Sequence, residues 1–164
     1  MNTIKNVTEA AMNGNTKVVE KLIKEDNSLL NIHSSDGWTP LHLAAYFGHE
    51  ETTNMLLMLG ADIHIRAKNN NENMPLHAAV ANNQAALVSL LLENGADINA
   101  KQSGGWTSLH EAALLGNAQI VSLLLEKGAD TNVTKDDGKT ALHIAKEKGY
   151  EEVIQMIEKC VEGV

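Results

Sequence analysis

Seven histidines stand in a chain of 164 residues, and four of them, His42, His77, His110 and His143, recur at intervals of 35, 33 and 33 residues. Imidazole is a frequent metal ligand and a common general base near neutral pH, so this spacing first raises a metal centre or a proton relay. Each of the four sits in a similar segment: TPLHLAAYFG from Thr39, MPLHAAVANN from Met74, TSLHEAALLG from Thr107 and TALHIAKEKG from Thr140. One histidine per repeated unit argues against a shared ion. Packed helices lie about 8–10 Å apart, whereas zinc needs ligand nitrogens at about 2.0 Å. His33, His49 and His64 have no histidine or cysteine neighbour at ligand spacing. Asp97 with Asn99, and Asp130 with Asn132, follow a glycine and read as turns whose side chains bond nearby backbone. Gly-rich phosphate loops, nucleophile elbows and paired-cysteine motifs are missing from the sequence. No metal, no cofactor and no catalytic residue are expected.

The elements that carry these histidines repeat with them. A Gly-Ala-Asp landmark recurs at Gly60, Gly95 and Gly128, with intervals of 35 and 33. Both landmarks shift by the same two residues, which places the extra length in the asparagine-rich run AKNNNENMP. Thr39, Thr107 and Thr140 are good N-caps, and Pro40 and Pro75 stand where a first helical turn has no use for an N–H. A two-turn helix is predicted from each, closing at Gly48, Asn83, Gly116 and Gly149, and carrying small pairs such as Ala44–Ala45 and Ala112–Ala113. A second helix follows, with apolar residues at helical spacing such as Ile120, Val121, Leu124 and Leu125. Such a helix pair cannot bury its own apolar faces, so neighbouring pairs must stack and share a core. Residues 1–33 and the charged last unit read as caps, so a complete array is expected.

Four copies in register, and a fifth partial one at the start, resemble the ankyrin repeat, with its T-P-L-H segment, paired alanines and Gly-Ala-Asp turn at a period of 33. The resemblance implies an all-α solenoid of stacked helix-turn-helix units with short finger loops. The expected layout is one domain over 1–164, with repeats near 1–33, 34–66, 67–100, 101–133 and 134–164. It also implies that His42, His77, His110 and His143 bond backbone or threonine groups and lock adjacent turns.

In proteins of this kind the residue before the T-P-L-H threonine lies in a finger, and the two residues before the first helix's terminal glycine face a concave groove that binds other proteins. Carried over, those positions select Trp38, Tyr46 and Phe47, then Asn73, then Trp106, Leu114 and Leu115, then Lys139 as partner-binding residues. Four of the chain's five aromatics fall among them. A second reading is local packing: a residue ahead of the N-cap can staple against the fourth helical residue, which is Leu43 for Trp38 and Glu111 for Trp106. The insertion at 69–73 reads either as a tolerated loop or as a longer finger that reaches the partner.

Thirteen Lys and Arg against twenty-one Asp and Glu give a formal charge of −8, which repels phosphate backbones and anionic membrane surfaces, so neither nucleic acid nor a membrane is expected as a partner. The single cysteine, Cys160, and a start without an apolar leader lead us to expect a soluble, cytoplasmic protein. The expected function is non-catalytic binding of a protein partner through the groove and fingers, the chain being a monomer or weakly self-associating. The alternative is a dedicated inhibitor or protective, immunity-type partner of one enzyme or toxin.

Overall fold

The computed structural model describes residues 3–163. Within them the chain forms ten α-helices in five antiparallel pairs, joined by turns and two short 3-10 segments. The contacts divide it into two compact units, one ending at Ala96 and the other beginning at Asp97. No helix among the described residues is long and apolar enough to cross a membrane.

The first unit holds three pairs: α1 (Thr3–Met12) with α2 (Thr16–Glu25), α3 (Pro40–Tyr46) with α4 (Glu50–Met58), and α5 (Pro75–Ala81) with α6 (Ala85–Glu93). Helix α3 packs between α1 and α5. Ala44 and Ala45, both fully buried, are small enough to allow that approach. Ile23, Leu41, Leu56, Leu76, Leu87 and Leu91 fill the core behind them. The second unit holds α7 (Ser108–Leu115) with α8 (Ala118–Glu126) and α9 (Ala141–Lys148) with α10 (Glu151–Val161). There α7 packs on α9 and α8 on α10, around Leu109, Ile120, Leu124 and Ile157. Val161, an apolar residue of the last helix, is instead 53% exposed.

The start of each first helix follows from its cap. Thr39, Thr107 and Thr140 adopt extended backbone angles, and each hydroxyl accepts the N–H of the histidine three residues on. Met74 has no such oxygen, but its own N–H still donates to His77 Nδ1 at 2.9 Å, so half of the reciprocal cap survives. Helix α7 stops at Gly116, whose φ of 67° is left-handed, and Asn83 takes the same role after α5 with φ 57°.

Candidate partner-binding faces

Two of the repeat histidines, His42 and His110, are fixed by bonds on both ring nitrogens. In the first unit His42 Nδ1 accepts the Thr39 N–H at 3.3 Å, and its Nε2 donates to the Asn73 carbonyl of the next repeat at 2.7 Å. In the second, His110 Nδ1 accepts from Thr107 at 3.1 Å, and Nε2 donates to the Lys139 carbonyl at 3.1 Å. Burial holds the His42 pKa down to about 4, against the smaller opposing pull of the Asn73 carbonyl, and lowers that of His110 for the same reason. Both rings are therefore neutral and engaged in locking turns. His143 is exposed and reaches only its own Thr140.

The sequence alone did not assign a comparable bridge to His33 or His49, yet His33 Nε2 meets the Arg66 carbonyl at 3.0 Å and His49 Nε2 the Met12 carbonyl at 2.7 Å. The Asp turns form as expected, with Asp97 accepting from Asn99 and Asp130 from Asn132. In addition Asn31 and Asn99 each reach forward to the N–H of the next repeat's aspartate, at 3.0 and 2.9 Å.

With the scaffold groups engaged, the first unit brings three rings together. Trp38 sits edge-on to Tyr46 at 5.2 Å between centroids, and Tyr46 edge-on to Phe47 at 5.0 Å, within the range of favourable aromatic pairs. The Trp38 ring also lies 5.7 Å from that of His42. Phe47 is 41% exposed, whereas Trp38 and Tyr46 are half-buried. These rings, with Met12, Ser34, Asp36 and Leu43, line a concavity of about 310 Å³. It adjoins a larger one of about 580 Å³ that shares Met12, Ser34, Asp36 and Leu43 and adds Lys5, Glu9 and His33 among its walls. Leu43, the expected staple partner of Trp38, is thus a wall of the same hollow.

The second unit gathers Trp106, Leu114 and Leu115 on α7 and the finger ahead of it. Leu115 is exposed to the same 41% as Phe47, its repeat equivalent, and Leu114 and Trp106 are half-buried. The Trp106 ring lies edge-on to His110 at 6.3 Å, and the Lys135 ammonium stands 4.3 Å above it. Glu111, the poor staple partner, is half-buried, and desolvation raises its pKa. Lys139 is half-buried and bonds Glu147 at 2.6 Å, which raises its own pKa.

Asn73 departs from the expected surface role. It is 5% exposed, its carbonyl accepts both His42 Nε2 and the Ala67 N–H at 2.8 Å, and its side chain is turned inward. The insertion just before it folds on itself. Asn69 Oδ1 accepts the N–H groups of Asn71 and Glu72 at 3.0 and 3.1 Å, with Glu72 in a left-handed conformation. The extra residues are absorbed in that turn, whose exposed tip is Asn70, Asn71 and Glu72 rather than Asn73.

Comparison with known proteins agrees with this architecture. The family described as ankyrin repeats (3 copies) matches residues 7–102 and 76–161. Among curated proteins, the chain is 39% identical over 87 residues to the transient receptor potential cation channel subfamily A member 1 homolog of Caenorhabditis elegans, covering 53% of this chain and 7% of that protein. It is 35% identical over 86 residues to the target of rapamycin complex 2 subunit AVO2 of Saccharomyces cerevisiae, covering 52% and 20%. To the human ankyrin repeat and SOCS box protein 3 it is 37% identical over 95 residues, covering 57% and 18%. The chain thus matches a fifth or less of the length of each of these relatives. On the repeat, the paired helices and these matches together, the chain belongs to the ankyrin-repeat family.

Proposed function

We propose that this chain is a non-catalytic module that binds a protein partner through the concave-face residues and fingers of its repeats. Ankyrin repeats are in general protein-interaction modules and typically lack catalysis. The observation that carries the reading is the exposure of Phe47 and Leu115 at one repeat position, each continuous with half-buried apolar neighbours. Most large apolar side chains here are inside, and concentrated exceptions mark interaction sites. Trp38, Tyr46 and Phe47 are the anchors in the first unit, and Trp106, Leu114 and Leu115 those in the second, with Lys139 at the flank. A scaffold of packed repeats has little to order on binding, so apolar contacts are less diluted by entropy. We place the protein in the cytoplasm, where its one cysteine, an exposed thiol, stays reduced.

The test is recovery of partners by the intact chain and by a Trp38→Ala, Trp106→Ala double variant whose helicity and melting are checked first. Partners lost at least tenfold from a folded variant support the reading. An unchanged set of partners from that variant refutes it.

A further inference from the structure

The two finger tryptophans occupy one repeat position but differ in what surrounds them. Each finger closes by the same backbone bond, from Ser34 to Trp38, Ala67 to Asn73, Gln102 to Trp106 and Lys135 to Lys139, at 2.8–2.9 Å. That bond aligns Ser34, Ala67, Gln102 and Lys135 as equivalents. Within the second unit, the finger following Trp106 supplies Lys135, whose ammonium covers the indole face at 4.3 Å. Within the first, the finger following Trp38 supplies Ala67, a buried methyl with no charge to offer. The Trp38 ring pairs with the rings of His42 and Tyr46, and among the described residues no cation is recorded over it.

The charges differ in the complementary sense. The residue two before Trp106 is Gly104, while the residue two before Trp38 is Asp36. Asp36 is exposed, lines the two adjoining concavities described above, and its carboxylate bonds no other described residue. Lys5, the ammonium bordering the larger concavity, stands 3.7 Å from Glu9. The smaller hollow therefore combines three aromatic rings with one unpaired carboxylate and has no cation of its own. Electron-rich ring faces and a carboxylate both favour a positive guest, and the chain's charge of −8 draws basic partners toward it.

We infer that the hollow lined by Asp36, Trp38, Tyr46 and Phe47 receives a lysine or arginine side chain from an exposed basic segment of the protein partner. The aliphatic stem lies along Met12 and Leu43, and the charged head meets the rings and Asp36. The second unit shows the same cation-on-tryptophan arrangement made internally. The inference rests on the protein-binding reading above, and the experiment separates the two.

A phage-displayed random twelve-residue peptide library is selected on the wild-type chain, and each enriched peptide is retested on folded Trp38→Ala and Trp106→Ala variants. Peptides that need Trp38 are synthesised with each Lys replaced by norleucine and each Arg by citrulline. The expected result is that Trp38-dependent peptides carry a basic residue, lose at least tenfold in affinity on its neutral replacement, and lose at least fivefold on Asp36→Asn. Asp36 is exposed and unbonded, so that variant keeps the fold, which a melting curve checks. Trp38-dependent peptides indifferent to the neutral replacement overturn the cationic inference and leave the binding reading standing. A selection with no peptide dependent on either tryptophan overturns both.

Discussion

Acidification from pH 7.5 to 5.0 should weaken the fold chiefly through His42. Its ring is fully buried and keeps the neutral tautomer that accepts at Nδ1 and donates at Nε2, with a pKa held at about 4. In the unfolded chain the same ring takes up a proton as the pH falls through about 6.5. The unfolded state therefore binds more protons between these values, and stability falls with pH. The contribution is complete above about pH 6.5 and is lost as the pH drops toward 4. A difference of about 2.5 pH units corresponds to about 3 kcal/mol in full, of which about 2 kcal/mol is gone by pH 5. His110, lowered by the same cause, acts in the same direction. The assay is urea unfolding followed by circular dichroism at both pH values, for the wild type and for His42→Gln. Glutamine can still donate an N–H to Asn73 but does not titrate, so carboxylates and the other histidines cancel in the comparison. The wild type should lose about 2 kcal/mol more than the variant over this range. Equal losses, or a His42 ring proton that titrates near 6.5 by NMR, would refute the reasoning.

Two further outcomes follow from the packing. Gly116→Ala should cost about 2 kcal/mol or more, and Gly149→Ala about 1 kcal/mol, because both demand a left-handed residue but only the first drives its methyl against the Tyr150 ring, at 2.9 Å. Equal shifts in the urea midpoint would remove the ring from the explanation. Thr53→Val should leave stability unchanged or raise it by about 1 kcal/mol, since its buried hydroxyl has no partner. Thr52→Val should lower it by about 1 kcal/mol by stranding the Thr16 hydroxyl 2.7 Å away, and thermal melts of the two variants give the comparison.

The repeat was legible because each landmark has one local cause. Thr39, Thr107 and Thr140 cap, Pro40 and Pro75 start, and Gly116 and Gly149 stop their helices within a few residues of where the sequence places them. Other features depend on a partner about 30 residues away and left no local mark. Lys135 over Trp106 and His49 on the Met12 carbonyl are of this kind. The burial of Asn73 likewise left no local mark. Its position in the motif is that of Trp38 and Lys139, but its side chain is buried, next to a turn in which the inserted residues fold on Asn69. Asp36 lies in a finger, two residues before Trp38, and its carboxylate bonds no other described residue, whereas Asp97 and Asp130 both close turns.

These geometries also weigh the binding energy. Removing about 100 Å² from each of four aromatics would give about 10 kcal/mol at 25 cal/mol per Å², against association costs of about 4–15 kcal/mol. Trp38, Tyr46 and Trp106 are half-buried, so the area they can still lose to a partner is smaller than full exposure would offer. Trp106 has in addition one face already occupied by Lys135, whose ammonium a partner would have to displace or accommodate. Apolar burial alone therefore does not produce tight binding at either face. Leu114, Leu115 and Phe47 must add area, and the polar group already in place beside the rings, Asp36, must add directed attraction. Such charge pairing governs which partner is accepted and how fast it arrives more than the final affinity. In the proposed interface the aromatic cluster would serve as the hot spot, and the carboxylate of Asp36 beside it would supply the selectivity that three apolar rings lack.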